Sequence, residues 1–262
     1  NVIDVLKKYE RASKMVNIEL IDPDKNPAFM AKYDDGETGL STGSLIIESG
    51  DNFKIIPGMD LYDVSYNQSG QAQVMGFKAE QRLTNALLYV TSGVTPKVYE
   101  IIGHGEYTLI QLGLLTTVEK ENFEVAELNL LTTPKIPDDA DIITLLSPEF
   151  DLTESEVEVL REYLENNGSA LIFLDFNNIE MPVLNSLLGS FGVNVEVGIV
   201  MEGAAERLYN PENPFLLAPV LAPHQITDPL SEGGLTVLMP YNMPVVTLDI
   251  IKRNVDIEPL LQ

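Results

Sequence analysis

Apolar residues open the chain at helical spacing, with Val2, Leu6 and Tyr9 on one face, and then switch to period two. Val16, Ile18 and Leu20 alternate with Asn17 and Glu19, which predicts a half-buried strand over 16–21 running into the turn-forming Asp22-Pro23-Asp24-Lys25-Asn26-Pro27. A short helix is expected around 28–33 and a flexible link over 34–39. Two runs, 44–48 and 53–56, flank Gly50-Asp51-Asn52 and read as a hairpin whose turn residues suit positive φ. Residues 66–76 are polar and glycine-bearing, so a loop is expected there. Leu83, Leu87 and Val90 then form one face of a helix, and Ser92-Gly93-Val94-Thr95-Pro96 marks a domain boundary.

Beyond Lys97 strand and helix patterns alternate, the signature of an α/β domain with a parallel sheet covered by helices. Strands are predicted at 98–102, 123–130, 141–146, 170–175, 193–200 and 235–239, and helices at 107–120, 153–166 and 182–191. The helix at 153–166 has the fullest grammar: Thr153-Glu154-Ser155-Glu156 is a capping box, Val157, Leu160 and Leu164 share a face, and Gly168 ends it. Leu184, Leu187, Leu188 and Phe191 stripe the next helix. Residues 203–232, with five prolines, show little periodicity.

A length of 262 residues favours two domains, read here as 1–94 and 95–262, and buries a core without disulfides or metals. Charge divides the same way: 1–94 carries 9 basic and 13 acidic groups, 95–262 carries 7 and 27, and the whole chain is −24. Such a field repels phosphate backbones, so no nucleic-acid partner is expected. With no cysteine, a thiol nucleophile, an iron–sulfur cluster and thiolate zinc sites are excluded, and two histidines leave little for a metal cage. Apolar runs such as 170–174 are about five residues, far below the roughly 20 of a membrane helix. The chain starts at Asn1 within a helical pattern and stops after Pro259-Leu260-Leu261, so a piece of a longer protein is expected, with any signal or anchor outside it.

In a doubly wound sheet, ligands bind beyond the carboxyl ends of the strands. Those ends carry Gly103-His104-Gly105-Glu106, Ser147-Pro148-Glu149 and Asp175-Phe176-Asn177-Asn178. The first starts like a dinucleotide fingerprint, but Thr108 stands in place of the third glycine and Glu106 sets negative charge beside the phosphates, so a tight strand-to-helix turn is the favoured use. Ser147, His104 and Asp175 have the identities of nucleophile, base and orienting acid, yet Ser147 lacks the flanking glycines of a nucleophile elbow. Asp22, Asp24 and Asn26 imitate the start of a calcium loop, with Pro27 at its glycine position and Tyr33 at its bidentate glutamate; a turn is expected instead. Glu149, Asp151, Glu154, Glu156, Glu158, Glu162 and Glu165 surround one helix and read as a solvated face, or as a dock for a basic partner. His224 is expected to tie down a proline-rich loop.

Five segments in register, 6–10, 21–27, 87–92, Gly103 to Glu106 and 152–164, make the chain resemble the extracytoplasmic region of the gliding-motility-type auxiliary subunits of ABC transporters. The resemblance implies a thioredoxin-like first unit followed by a flavodoxin-like, class I glutamine amidotransferase-like parallel-sheet domain without catalytic residues. It implies a membrane-anchored protein on the extracytoplasmic face of the cell membrane, touching the membrane only through anchors outside this chain. Its partners would be an ABC permease and a cytoplasmic ATPase. The absent cysteine agrees with loss of the amidotransferase nucleophile. The expectation is thus a non-catalytic binding or scaffolding domain with no cofactor and no metal. Its candidate ligand or partner surface comprises Gly103, His104, Gly105, Glu106, Ser147, Glu149, Asp175 and Asn177. The alternatives are a solute- or glycan-binding receptor domain with its crevice between the two units, and a hydrolase using His104, Ser147 and Asp175.

Overall fold

A computed structural model describes residues 1–33, 40–66, 71–176, 179–204, 208–249 and 254–262. The link expected over 34–39 and the candidate residue Asn177 lie outside them. The chain forms two compact units, one of residues 1–95 with 117–124 and one of 96–116 with 125–262.

In the first unit, α1 (Val2–Ala12) starts at a capping box, in which the Asp4 N–H donates to the Asn1 side chain at 3.1 Å. Val5 is buried with Ile47, Ile56, Leu61, Leu83, Ala86 and Val90. The expected strand at 16–21 pairs with nothing among the described residues. Val16 and Ile18 are half-buried, but Leu20 is 80% exposed, so period two survives without a ladder to make it a strand. The acidic turn after it is a short 3₁₀ turn, Pro23–Lys25. Asp22 accepts the Asp24 N–H at 3.1 Å and the backbone oxygen of Asp22 accepts from Asn26 Nδ2 at 3.0 Å, so local bonds use the polar groups of the calcium-like pattern.

After α2 (Pro27–Tyr33), β1 (Leu45–Ser49) and β2 (Asn52–Ile56) form the expected hairpin, Ser49 facing Asn52 across Gly50 at φ 60°. Where a loop was expected at 66–76, β3 (Tyr62–Tyr66) and β4 (Ala72–Phe77) make a second antiparallel hairpin. Most of β4 is exposed, so its pairing rests on backbone bonds and on the Tyr62–Phe77 ring contact at 5.5 Å, which leave no apolar alternation to read. α3 (Ala79–Ser92) buries Ala79, Leu83, Ala86 and Val90 and stops at Gly93, φ 65°. Glu121 is held to α3 by the Arg82 guanidinium at 2.7 Å, by Gln81 at 3.1 Å and by Asn85.

In the second unit, β5 (Lys97–Ile101), β6 (Glu124–Leu128), β7 (Ile142–Leu146) and β8 (Ser169–Phe173) form a four-stranded sheet in the order β6-β5-β7-β8, with β5, β7 and β8 mutually parallel. By order along the chain this is 2-1-3-4, which reverses direction between β5 and β7. α5 (Glu154–Glu165) and α6 (Pro182–Ser190) cover one face. Ile101, Leu128, Ile143, Leu145, Val157, Leu160, Leu184 and Leu187 are buried there.

The opposite face is covered over β5 by a loop. The helix expected at 107–120 is reduced to α4 (Leu115–Lys120), because side chains capture the backbone before it. The buried Glu100 carboxylate on β5 accepts the Leu109 N–H at 2.5 Å, Gln111 accepts the Thr108 N–H at 2.8 Å, and Gly113 adopts φ 69°. The last two expected strands also shrink. β9 (Val193–Val195) pairs with β12 (Val245–Thr247), outside the main sheet, and β11 (Met239–Pro240) pairs with β10 (Leu216–Leu217). α7 (Asp228–Glu232) lies between them in the chain. No helix among the described residues is long and apolar enough to cross a membrane.

Candidate functional site

The reversal between β5 and β7 places Gly103 to Glu106 and Ser147 to Glu149 at the crevice of the sheet. His104 is buried there, and each ring nitrogen faces a carboxylate: Nδ1 lies 3.1 Å from Glu106 Oε1, and Nε2 lies 3.1 Å from Glu156 Oε2. Both carboxylate side chains are almost fully buried, at 1% and 2% exposure. The His104 N–H donates to Glu106 Oε2 at 2.7 Å, and its carbonyl accepts the Glu149 and Phe150 N–H groups at 2.8 and 3.0 Å. The loop after β5 is thereby locked to the loop after β7.

Glu156 reaches this site because of where it stands on α5. It is the third residue of the capping box, its Oε2 accepting the Thr153 N–H at 2.9 Å and the Thr153 hydroxyl at 2.8 Å. The expected solvated acidic face holds for Glu149, Glu154, Glu158, Glu162 and Glu165, which are exposed, and is corrected at two positions: Glu156 is buried, and Asp151 is occupied at the start of α6, accepting the Val183 and Leu184 N–H groups at 2.8 and 2.9 Å. Glu149 is exposed.

The two glycines are required by their own neighbours. Gly105 has φ 82°, and a Cβ on it would meet Glu149 Cβ at 2.9 Å. Gly103 has φ 132°, and a Cβ there would lie 3.2 Å from Asn129 Nδ2. The space a phosphate would take beside Gly105 therefore holds the Glu149 side chain, and the dinucleotide-like start is a turn motif.

Ser147 takes φ 54° and donates its N–H to the Phe173 carbonyl at 2.7 Å. Asp175 is exposed and accepts the Phe176 N–H at 2.8 Å. Among the described residues no hydrogen bond joins His104, Ser147 and Asp175. The triad reading fails on geometry, since the imidazole has given both nitrogens to glutamates. Asp175 instead sits at the rim of a small, mainly apolar cleft, which Pro148 also lines. Among the described residues no group of three or more His, Asp or Glu side chains is placed to hold a metal ion.

Residues 95–210 match the family model of an ABC-type uncharacterized transport system. The match spans the sheet from β5 through β9 and so contains every element of the His104 site. No curated protein matches the chain. Among solved structures the mmIFT52 N-terminal domain is similar at 18% identity, over 58% of this chain and 73% of that chain, with a TM-score of 0.44.

Sequence reasoning singled out His104 and Glu106 but missed that Glu156 completes their cluster. A signal was available. Glu156 stands one turn before Leu160 and beside Val157, so it falls on the apolar stripe of α5, where a carboxylate needs a buried partner.

Two further details belong to the site's surroundings. Glu100 is held above its ordinary pKa, first by burial and then by the nearby Glu127 charge, against the lowering effect of the Leu109 N–H. His224, the other histidine, accepts the Ile226 N–H at Nδ1 (3.1 Å) and faces Glu258 through Nε2 at 3.3 Å, fixing the loop as expected.

Proposed function

We propose that this chain is the extracytoplasmic auxiliary domain of an ABC-type transport system, a binding or scaffolding module that works without catalysis. The observation that carries the reading is the match of residues 95–210 to the transport-system family. The geometry of the crevice supports it. A buried histidine bonded at both nitrogens to buried glutamates has no free lone pair for a substrate, and the glycine loop above it is filled by Glu149.

In this reading His104, Glu106 and Glu156 act beneath the surface, holding the loops after β5 and β7. The surface itself is Gly103, Gly105, Glu149 and Asp175, negatively charged and turned to solvent. The second unit is the amidotransferase-like part of the fold, and its strand order 2-1-3-4 supports that assignment. The first unit's two separate hairpins lend no such support to a thioredoxin-like sheet. The partners are the permease and ATPase of the transporter, reached through the full-length protein and its membrane anchor.

Site-specific photo-cross-linking tests this. A photoreactive residue at position 149 of the full-length protein, in its own membrane, is expected to capture the permease, while one at the exposed Leu88 of the first unit serves as reference. Equal capture from both positions, or capture of no transporter component, overturns the reading.

A further inference from the structure

β8 is the last strand of the four-stranded sheet, and its sequence Ser169-Ala170-Leu171-Ile172-Phe173 carries no charge and no proline. Natural edge strands are normally protected by charges, prolines, bulges or a covering element. Among the described residues β8 has no charge, proline or bulge, and no strand pairs with its outer side. The Phe173 carbonyl accepts the Ser147 N–H, so Phe173 turns its backbone groups toward β7. In a parallel ladder a residue's N–H and C=O point to the same side and the side alternates, so Ala170 and Ile172 turn theirs outward. The side chains follow the complementary rule. Ile172 and Leu174 pack on the core beneath α5 and α6, whereas Leu171 and Phe173, on the opposite face, are 43% and 48% exposed.

At the carboxyl end of this strand lies the small cleft, lined by Leu174, Ile179, Met181, Leu188, Val195 and Met243, with the exposed Asp175 carboxylate at its rim. An unpaired strand edge beside an apolar pocket is the arrangement in which an extended peptide adds a strand. Backbone bonds then supply affinity and the pocket selects a side chain.

Charge names the occupant. Residues 136–204 contain 14 acidic side chains and a single basic one, Arg161, which pairs with Glu158 at 3.5 Å. A second copy of this chain would bring the same field and be repelled, whereas a basic strand is attracted.

We propose that the outer edge of β8, with the cleft at its end, binds an extended strand of a partner protein that carries alternate aliphatic side chains and a lysine or arginine set against Asp175. The proposal rests on the exposed edge and goes beyond the transport reading: the strand docks there whichever system the chain serves.

The test is a displayed library of random ten-residue peptides selected on the whole chain, with a Phe173→Lys variant as counter-target. Phe173 is half exposed, so the variant keeps the fold while placing a charge on the edge. The enriched peptides are expected to alternate aliphatic residues and carry at least one basic one, to bind Phe173→Lys at least tenfold more weakly, and to lose affinity as salt rises. Hydrogen exchange with the consensus peptide is expected to slow at the Ala170 and Ile172 amides. An Asp175→Asn variant should weaken binding about threefold.

Four results overturn the proposal: no peptide is enriched, the enriched peptides bind Phe173→Lys equally well, protection appears away from Ala170 and Ile172, or those amides become protected by dimerisation of the chain itself. None of these bears on whether a permease and an ATPase accompany the full-length protein.

Discussion

His104 Nε2 and Glu156 Oε2 meet at 3.1 Å although 52 positions separate them in the chain, and both side chains are buried. This contact joins the turn after β5 to the capping box of α5, so a single carboxylate oxygen finishes a helix and orients an imidazole.

Removing the ring leaves Glu106 and Glu156 buried without their shared donor. Glu106 keeps the residue-104 N–H and Glu156 keeps Thr153, but the loss of a buried hydrogen-bond partner still costs about 1–3 kcal/mol. His104→Ala is therefore expected to lower the urea midpoint of the second unit strongly, while Glu149→Ala, at an exposed position, shifts it little. Urea titration followed by amide resonances of the second unit distinguishes the two.

Gly105→Ala combines two penalties, a left-handed φ of 82° and a Cβ placed 2.9 Å from Glu149 Cβ. The conformational part alone is worth about 1–2 kcal/mol. In the Gly105→Ala, Glu149→Gly double variant the clash is relieved and the φ penalty stays, so the double variant is expected to be more stable than Gly105→Ala and less stable than the parent. A double-mutant cycle by chemical denaturation reads the difference.

Asp151 caps the start of α6 through the Val183 and Leu184 N–H groups. Asp151→Ala is expected to cost about 1 kcal/mol, the usual worth of such a cap. Hydrogen exchange at Val183 and Leu184 should quicken while exchange in α5 is unchanged.

Glu100 provides a pH signature. Burial raises its pKa in the folded chain above the ordinary value of 4.5, so between that value and the raised one the folded state holds more protons than the unfolded state. Stability from this group is then lost as pH rises through the window, and the full penalty of an ionised buried carboxylate applies above it. Glu100→Gln keeps an oxygen for the Leu109 N–H and removes the charge. The variant is expected to gain stability relative to the parent at pH 8 and to lose that advantage as pH falls below about 4. Thermal unfolding at both pH values checks the sign.

Much of this was legible because it is local. The capping box at Thr153, the Val157-Leu160-Leu164 stripe and the Gly50 turn are rules of neighbours, and each fixes its element whatever the rest of the chain does. What escaped depends on distant partners. Residues 16–21 have the alternation of a strand and no ladder to join, whereas residues 72–77 have a ladder with Tyr62–Tyr66 and almost no burial pattern. The helix grammar over 107–114 yields to the Glu100 carboxylate, nine residues back, which takes the Leu109 N–H. At the site, the strand ends correctly placed Gly103 to Glu106 and Ser147 to Glu149 at one crevice. Their chemistry came from Glu156, whose acidic neighbours on α5 disguised it as one more solvated charge.

The proposed role of this chain as a non-catalytic partner of a transporter is tested most directly by purification of the full-length protein from its own membrane. The account predicts stoichiometric recovery of a permease and an ATPase with it. A protein released from the cell without membrane or transporter components would contradict the account.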